Sequence, residues 1–257
     1  MSALPEKQTT SIATSTTDDV FIRDESLCKG LIGKLTFTEL IYFQIIGKKP
    51  TPEQTAVVDA CLVTLMEHGL TPSALATRLI YSSAEEAMQA AVAAGLLAVG
   101  SRFVGTTEGC GALLAQIVAA PDRPAEARRI AETHKAEKKP LPGFGHPFHK
   151  PDDPRTPVLL ALAEHKGIAG DHVEAVRLLS AAIDSAFGKH ITLNATGAIA
   201  AVLADAGVPR EILRGFALIA RAAGLVGHVH EEQKKPAMRA IWEAAEAAVP
   251  YDGERGH

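Results

Sequence analysis

Cysteine is scarce in this 257-residue chain. The three present, Cys28, Cys61 and Cys110, are odd in number, far apart, and fit no CxxC or Cys/His spacing. That speaks against a disulfide framework or a structural zinc and for free thiols in a reducing compartment. Aromatic residues make up only 5% and the formal net charge is -4, so the stacking platforms and basic faces of nucleic-acid binders are missing. The longest apolar stretch, Ala90 to Gly100, reaches about half of a bilayer span. Residues 1–19 are polar and lack the apolar core of a secretory signal. There is no GxxxxGK[ST] loop for ATP and no GxGxxG after a strand. No segment alternates with period two over a full strand. The expectation is a soluble, cytoplasmic protein with neither a membrane nor a nucleic acid as partner.

Present in quantity are alanine, leucine and helix punctuation. Hydrophobic residues make up 47% and charged residues 22%, ordinary for a globular chain with a large core. Residues 1–18 read as a flexible Ser/Thr-rich tail. From Leu35 the apolar spacing turns helical, with Thr36 or Thr38 as cap and Gly47 then Pro50 as stop. Thr51-Pro52 and Thr71-Pro72 are strong starts with proline in the first turn. Further helices are expected over 84–99, 108–120, 123–137, 156–165, 172–187, 195–206, 209–226 and 236–248. About ten helices with short links make an all-α layered fold.

One stretch departs from that pattern. Residues 138–157 read KKPLPGFGHPFHKPDDPRTP, with five prolines before Thr156. Long irregular segments inside compact domains are usually functional or disordered, and the proline density favours a preset loop. Two glycines, Gly143 and Gly145, let the backbone approach a ligand closely. His146 is the side chain suited to proton transfer or carbonyl polarisation near neutral pH. Arg155 is suited to bidentate carboxylate binding, while Lys138, Lys139 and Lys150 suit phosphates. The bland alternative is a surface loop with a solvated histidine.

Pro142 to Pro147 (PGFGHP), followed by Asp153-Pro154-Arg155, resembles the motif PG(Y/F)GH with a later arginine of the citrate synthase superfamily. The similarity runs from about Leu27 to Pro236. Residues 26–43 (SLCKGLIGKLTFTELIYF) resemble an early helix of that family. Residues 95–103 (GLLAVGSRF) resemble the GLLTIGDRF block in the citryl-CoA lyase module of ATP-citrate lyase. Leu193-Asn194 with Gly197 resembles the LNVDG block, and Arg221, Gly224, Gly227 and His228 resemble the late RxxGxxGH block. Five blocks in order make the match specific, and the citryl-CoA lyase type fits it best.

The resemblance implies a citrate synthase-like fold. Residues 1–104 and 207–257 would form a large helical domain and 105–206 a small one, with the active-site cleft between them and a homodimer as the assembly. It implies His146 on the oxaloacetate carbonyl or the citryl-CoA hydroxyl, and Arg155 and Arg221 on substrate carboxylates. It places Leu141, Pro142, Gly143, Phe144 and Gly145 along coenzyme A, with Lys150 and Lys235 as phosphate candidates and Asn194 and His228 beside the substrate. Coenzyme A enters as part of the substrate; no prosthetic group or metal is implied.

Three departures stand out. Phe103 occupies the place of the enolising histidine of the synthases, as in the lyase module. An earlier substrate-contacting histidine aligns near Ala76 and is absent there. Thr196 stands where the family has its catalytic aspartate, and a threonine hydroxyl is no ordinary base at neutral pH. His149, a water held by Thr196 and Asn194, or a change of substrate are the open answers. The activity implied is cleavage of citryl-CoA to acetyl-CoA and oxaloacetate, with the reverse, citrate synthase direction left open. The alternatives are lysis of another 3-hydroxy-3-carboxyacyl-CoA, or acyl-CoA binding with weak turnover. His228 and His230 suggest a metal pair by composition, but i and i+2 on a helix face different ways. Arg102 is a substrate contact or an interhelical ion pair, and Cys110 is read as packing.

Overall fold

A computed structural model describes residues 8–100 and 105–253. Arg102 and Phe103 lie outside the described residues, as does the first part of the expected tail. The rest of that tail is not free chain. Three short antiparallel strands, β1 (Ala13–Ser15), β2 (Val20–Ile22) and β3 (Glu25–Ser26), open the structure. The β2–β3 turn has Arg23 and Asp24 at positive φ, the requirement of a two-residue type I′ hairpin. The Arg23 guanidinium then donates to the Gln44 carbonyl at 2.9 and 3.0 Å, tying the hairpin to the first helix. Strands this short cannot display a periodicity, which is why none was expected.

A single π turn (Leu27–Leu31) leads into eleven helices among the described residues. They are α1 (Phe37–Ile46), α2 (Pro52–Met66), α3 (Pro72–Ser83), α4 (Met88–Leu97), α5 (Thr106–Ala119), α6 (Arg123–Ala136), α7 (Arg155–His165), α8 (Asp171–Phe187), α9 (Ala195–Asp205), α10 (Leu213–Lys234) and α11 (Met238–Ala248). Capping chemistry explains the starts. Thr36 with Glu39, and Thr51 with Gln54, form reciprocal capping boxes, satisfying two orphan backbone N–H groups at each end. The helix expected over 84–99 starts only at Met88. The one expected over 209–226 instead begins at Leu213, after a 3₁₀ turn (Arg210–Ile212), and runs on to Lys234.

Helices α5 to α9 pack on one another, with most of α9 buried; α10 packs along α2, α3 and α4. One large core, including Leu114, Ile117, Leu179, Ile199, Leu203, Leu213 and Phe216, joins the two groups. By length and composition α10 would cross a bilayer. Its buried face carries Arg221, His228 and Glu232, and Glu232 and His228 are paired inside the fold. It is the central helix of this body.

Candidate active site

The loop from Leu141 to Arg155 is held by the segment that enters α9. Phe144 pairs with Leu193 as an isolated antiparallel bridge. Gly145 N donates to the Thr192 carbonyl at 2.7 Å, Asn194 N to the Gly143 carbonyl at 3.0 Å, and Asn194 Nδ2 to the Gly145 carbonyl at 2.8 Å. Gly143 has a φ of 85°, and a Cβ there would stand 2.7 Å from Cys110 Sγ and 2.9 Å from Gly197 Cα. Only glycine fits that crossing of α5, α9 and the loop. Thr192 Oγ1 donates to the Pro151 carbonyl at 2.5 Å, so the far arm is pinned as well.

His146 sits at the end of this arm. Its Nδ1 accepts backbone N–H groups from Phe148 at 3.1 Å and His149 at 2.9 Å. With Nδ1 accepting, the neutral ring carries its proton on Nε2. Burial, and then the neighbouring His149, push its pKa down, so the ring stays neutral and offers one N–H at neutral pH. The His149 ring lies 4.4 Å from that of His146, centroid to centroid.

A third imidazole joins them: His68, in the loop between α2 and α3, lies 5.5 Å from His146 and 5.8 Å from His149. An imidazole from earlier in the chain thus reaches the cluster from position 68, just after the end of α2. A histidine flanked by Glu67 and Gly69 directly after an apolar helix was the available signal. One nitrogen from each of these rings lies within 4.8 Å of the others, the spacing of a metal site. The chemistry of His146 argues otherwise, because a ligand nitrogen needs its lone pair and the two backbone donors already hold Nδ1. The ring is set as a hydrogen-bond donor.

Two arginines flank the histidines. Arg155 opens α7 and is gripped by Asp153, Nε to Oδ1 at 2.9 Å and Nη2 to Oδ2 at 2.7 Å. Asp153 is fully buried. Burial alone would raise its pKa, but Arg155 and the Ala195 backbone N–H hold it at about 2. Arg221, from the middle of α10, is 4% exposed. Neither its Nε nor its Nη1 has a hydrogen-bond partner among the described residues, and the nearest carboxylate, Glu67, is 4.0 Å away. Burial lowers its pKa, yet a guanidinium remains charged. A buried cation left in this state is a receptor for an anion.

At the start of α9, Thr196 Oγ1 donates to Asn194 Oδ1 at 2.6 Å and shares a 2.8 Å contact with Thr106 Oγ1. Asn194 also caps the helix through Gly197 N. The contacts seen at this position are between hydroxyl and amide groups, Thr106, Thr196 and Asn194.

Several expected contacts change character. His228 is buried in α10, its Nδ1 accepting from Arg78 Nε and its Nε2 beside Glu67; it lines the site only through Glu67. Leu141 packs into the core, and the Gly143 carbonyl is taken by Asn194. The accessible surface of that segment is therefore left to Pro142, Phe144 and the open face of Gly145. Lys150 is exposed on the loop. Lys235 caps the far end of α10, roughly 20 Å along the axis from Arg221.

Residues 22–242 match the sequence profile of the citrate synthase C-terminal domain. The chain belongs to the citrate synthase family. It is 29% identical over 191 residues to putative citrate synthase 2 of Mycobacterium tuberculosis, a match covering 72% of this chain and 50% of that protein. The chain thus spans about half the length of the curated relatives it matches. It is also similar to the structure of citryl-CoA lyase from Hydrogenobacter thermophilus, with a TM-score of 0.87 and 31% identity over 98% of this chain and 97% of the other. The fold recurs in an ATP citrate lyase from Methanothrix soehngenii, at a TM-score of 0.80 and 17% identity over 98% of this chain and 43% of that one.

Proposed function

We propose that this member of the family cleaves citryl-CoA to acetyl-CoA and oxaloacetate. The observation that carries the reading is the near-complete mutual coverage with the Hydrogenobacter citryl-CoA lyase, whereas only half of the putative citrate synthase is matched. The geometry supports it. Arg155 and Arg221 are two fixed cations for carboxylates. His146 Nε2–H is aimed for the oxygen that changes from tertiary hydroxyl to ketone. In the cleavage, His149 takes the hydroxyl proton, the carbon–carbon bond breaks as the carbonyl forms, and its electrons pass to the thioester enolate. The same proton then returns to the enolate carbon, so atoms and charge balance with no added reagent. Preset donors around a site of this kind stabilise charge as it develops.

A second reading is favoured by Thr196. Hydroxyls in place of a carboxylate suit a related 3-hydroxy-3-carboxyacyl-CoA. The division into a large domain (1–104, 207–257) and a small one (105–206), closure of the cleft, a cytoplasmic location and a homodimer belong to the same proposal. Helix α11 has no buried residue, and Trp242 and Leu97 are exposed, surfaces a second copy would cover; light scattering reads the mass.

The deciding assay couples oxaloacetate release from citryl-CoA to NADH oxidation by malate dehydrogenase. Wild type turns over and His146→Ala loses at least about a hundredfold. A wild type that binds coenzyme A esters without releasing oxaloacetate overturns the assignment.

A further inference from the structure

Beneath the histidine cluster lies a chain of buried charged groups that the cleavage chemistry does not use directly. Arg78 of α3 is 4% exposed and Glu232 of α10 is 2% exposed. Arg78 Nη1 donates to Glu232 Oε2 at 2.7 Å, its Nη2 to Glu231, and its Nε to His228 Nδ1 at 3.0 Å. The other oxygen of Glu232 accepts from Ser82 Oγ and from the backbone N–H groups of Ala237 and Met238. The acceptance at Nδ1 fixes the proton of His228 on Nε2, which lies 2.9 Å from Glu67 Oε2 along a bent path. Glu67 Oε1 in turn accepts the backbone N–H groups of His68 and Gly69, both at 2.7 Å.

The backbone packing reinforces this path. A Cβ on Gly224 of α10 would stand 2.1 Å from the Met66 carbonyl and 3.2 Å from Glu67 Oε2. Helix α10 therefore rests directly on the segment that delivers Glu67 and His68. The same carboxylate is the nearest one to Arg221.

We propose that Glu67 is a positioning residue: its carboxylate, oriented by His228 and behind it by Arg78, sets the loop that aims the His68 imidazole into the site. Second-layer hydrogen bonds of this kind fix the angle of a ring that must meet a substrate. The inference rests on the histidine cluster being the substrate site proposed above. Glu67 is partly exposed, with 46% of its side chain accessible, so its removal spares the core. Arg78→Lys keeps a cation for Glu232 while withdrawing the donor to His228, and so probes the far end without leaving a buried carboxylate alone.

The first arm of the test is a double-mutant cycle on citryl-CoA cleavage. Glu67→Ala is expected to lower kcat/KM by about thirtyfold in the native background but by less than about threefold when His68 is already alanine. Equal losses in both backgrounds would overturn the proposal, since a general structural role is indifferent to His68. The second arm needs no substrate: imidazole ¹⁵N NMR of the free protein, with signals assigned by single substitutions. Glu67→Ala and Arg78→Lys should both move the His68 and His228 signals and leave that of His134, on α6, in place. An unmoved His68 in Glu67→Ala overturns the proposal whatever the substrate. Moved signals in a protein that does not cleave citryl-CoA support the positioning role and reject the substrate.

Discussion

Arg155 stands by His146 and Arg221 by Glu67, next to His68, yet the fold treats the two arginines in opposite ways. Arg155 is clamped by the buried Asp153 two residues before it, in a loop that Thr192 and Asn194 hold from across the chain. Arg221 comes from the middle of the longest helix, is more deeply buried, and has only a 4.0 Å approach to Glu67. The first is positioned by its own salt bridge and keeps its remaining donors for a ligand. The second is positioned by helix packing and pays in desolvation until an anion arrives. One arginine therefore supports the structure it belongs to; the other is a liability to it that only function explains.

The largest expected effect separates those roles. Arg155→Leu and Arg221→Leu should each lower kcat/KM for citryl-CoA by about a thousandfold, as loss of a desolvated charge contact does. Their stabilities should diverge. Arg155→Leu strands the buried Asp153 carboxylate and costs about 3 kcal/mol, whereas Arg221→Leu removes an unpaired buried charge and leaves the Tm unchanged or higher. Equal falls in Tm would break the comparison.

The histidines extend it. His149→Ala, on the loop side, should lower kcat by about a hundredfold with little change in KM. His68→Ala, on the helix side, should act mainly through KM. Steady-state kinetics of the two variants checks the split, and a reversal would move the proton-transfer role to His68.

Acid provides a third lever. The pKa of Asp153 is depressed to about 2 in the folded protein, against about 3.9 unfolded. It therefore contributes stability at pH above about 4, about 2.5 kcal/mol in all, which is lost as pH falls towards 2. Urea midpoints should drop over that window in wild type and stay flatter in Asp153→Asn. The smallest effect is expected at the hydroxyl cluster. Thr196→Val should cost no more than about fivefold in kcat, because hydroxyl contacts of this kind contribute about 1 kcal/mol; a loss near that of His149→Ala would make Thr196 a direct participant.

The helices were legible because their ends carry chemistry. Thr36, Thr51 and Pro52 at their starts and Gly47 and Gly188 at αL stops act locally, so their meaning survives without knowledge of the fold. The loop with His146 and Arg155 was legible because proline and glycine crowd it where helix is otherwise continuous. The hairpin was hidden because its strands are two or three residues long and its turn uses Arg23 and Asp24 instead of glycine. His68 was hidden for another reason. Its place beside His146 is set by α10 resting on the end of α2, a contact between segments far apart in sequence. The same tertiary contact brings buried His228 against Glu67 and Arg78.

The contact between Gly143 and Cys110 makes the loop a clock. Cys28 lies open to solvent and Cys110 is sealed, its thiol pushed up to about 12 by burial. An alkylating reagent should label Cys28 at once and Cys110 only when the Gly143 crossing lifts. The rate at which the Cys110 label appears, read by peptide mapping apart from the equally buried Cys61, then counts those openings, and a substrate that clamps the loop would slow the count in proportion to its occupancy.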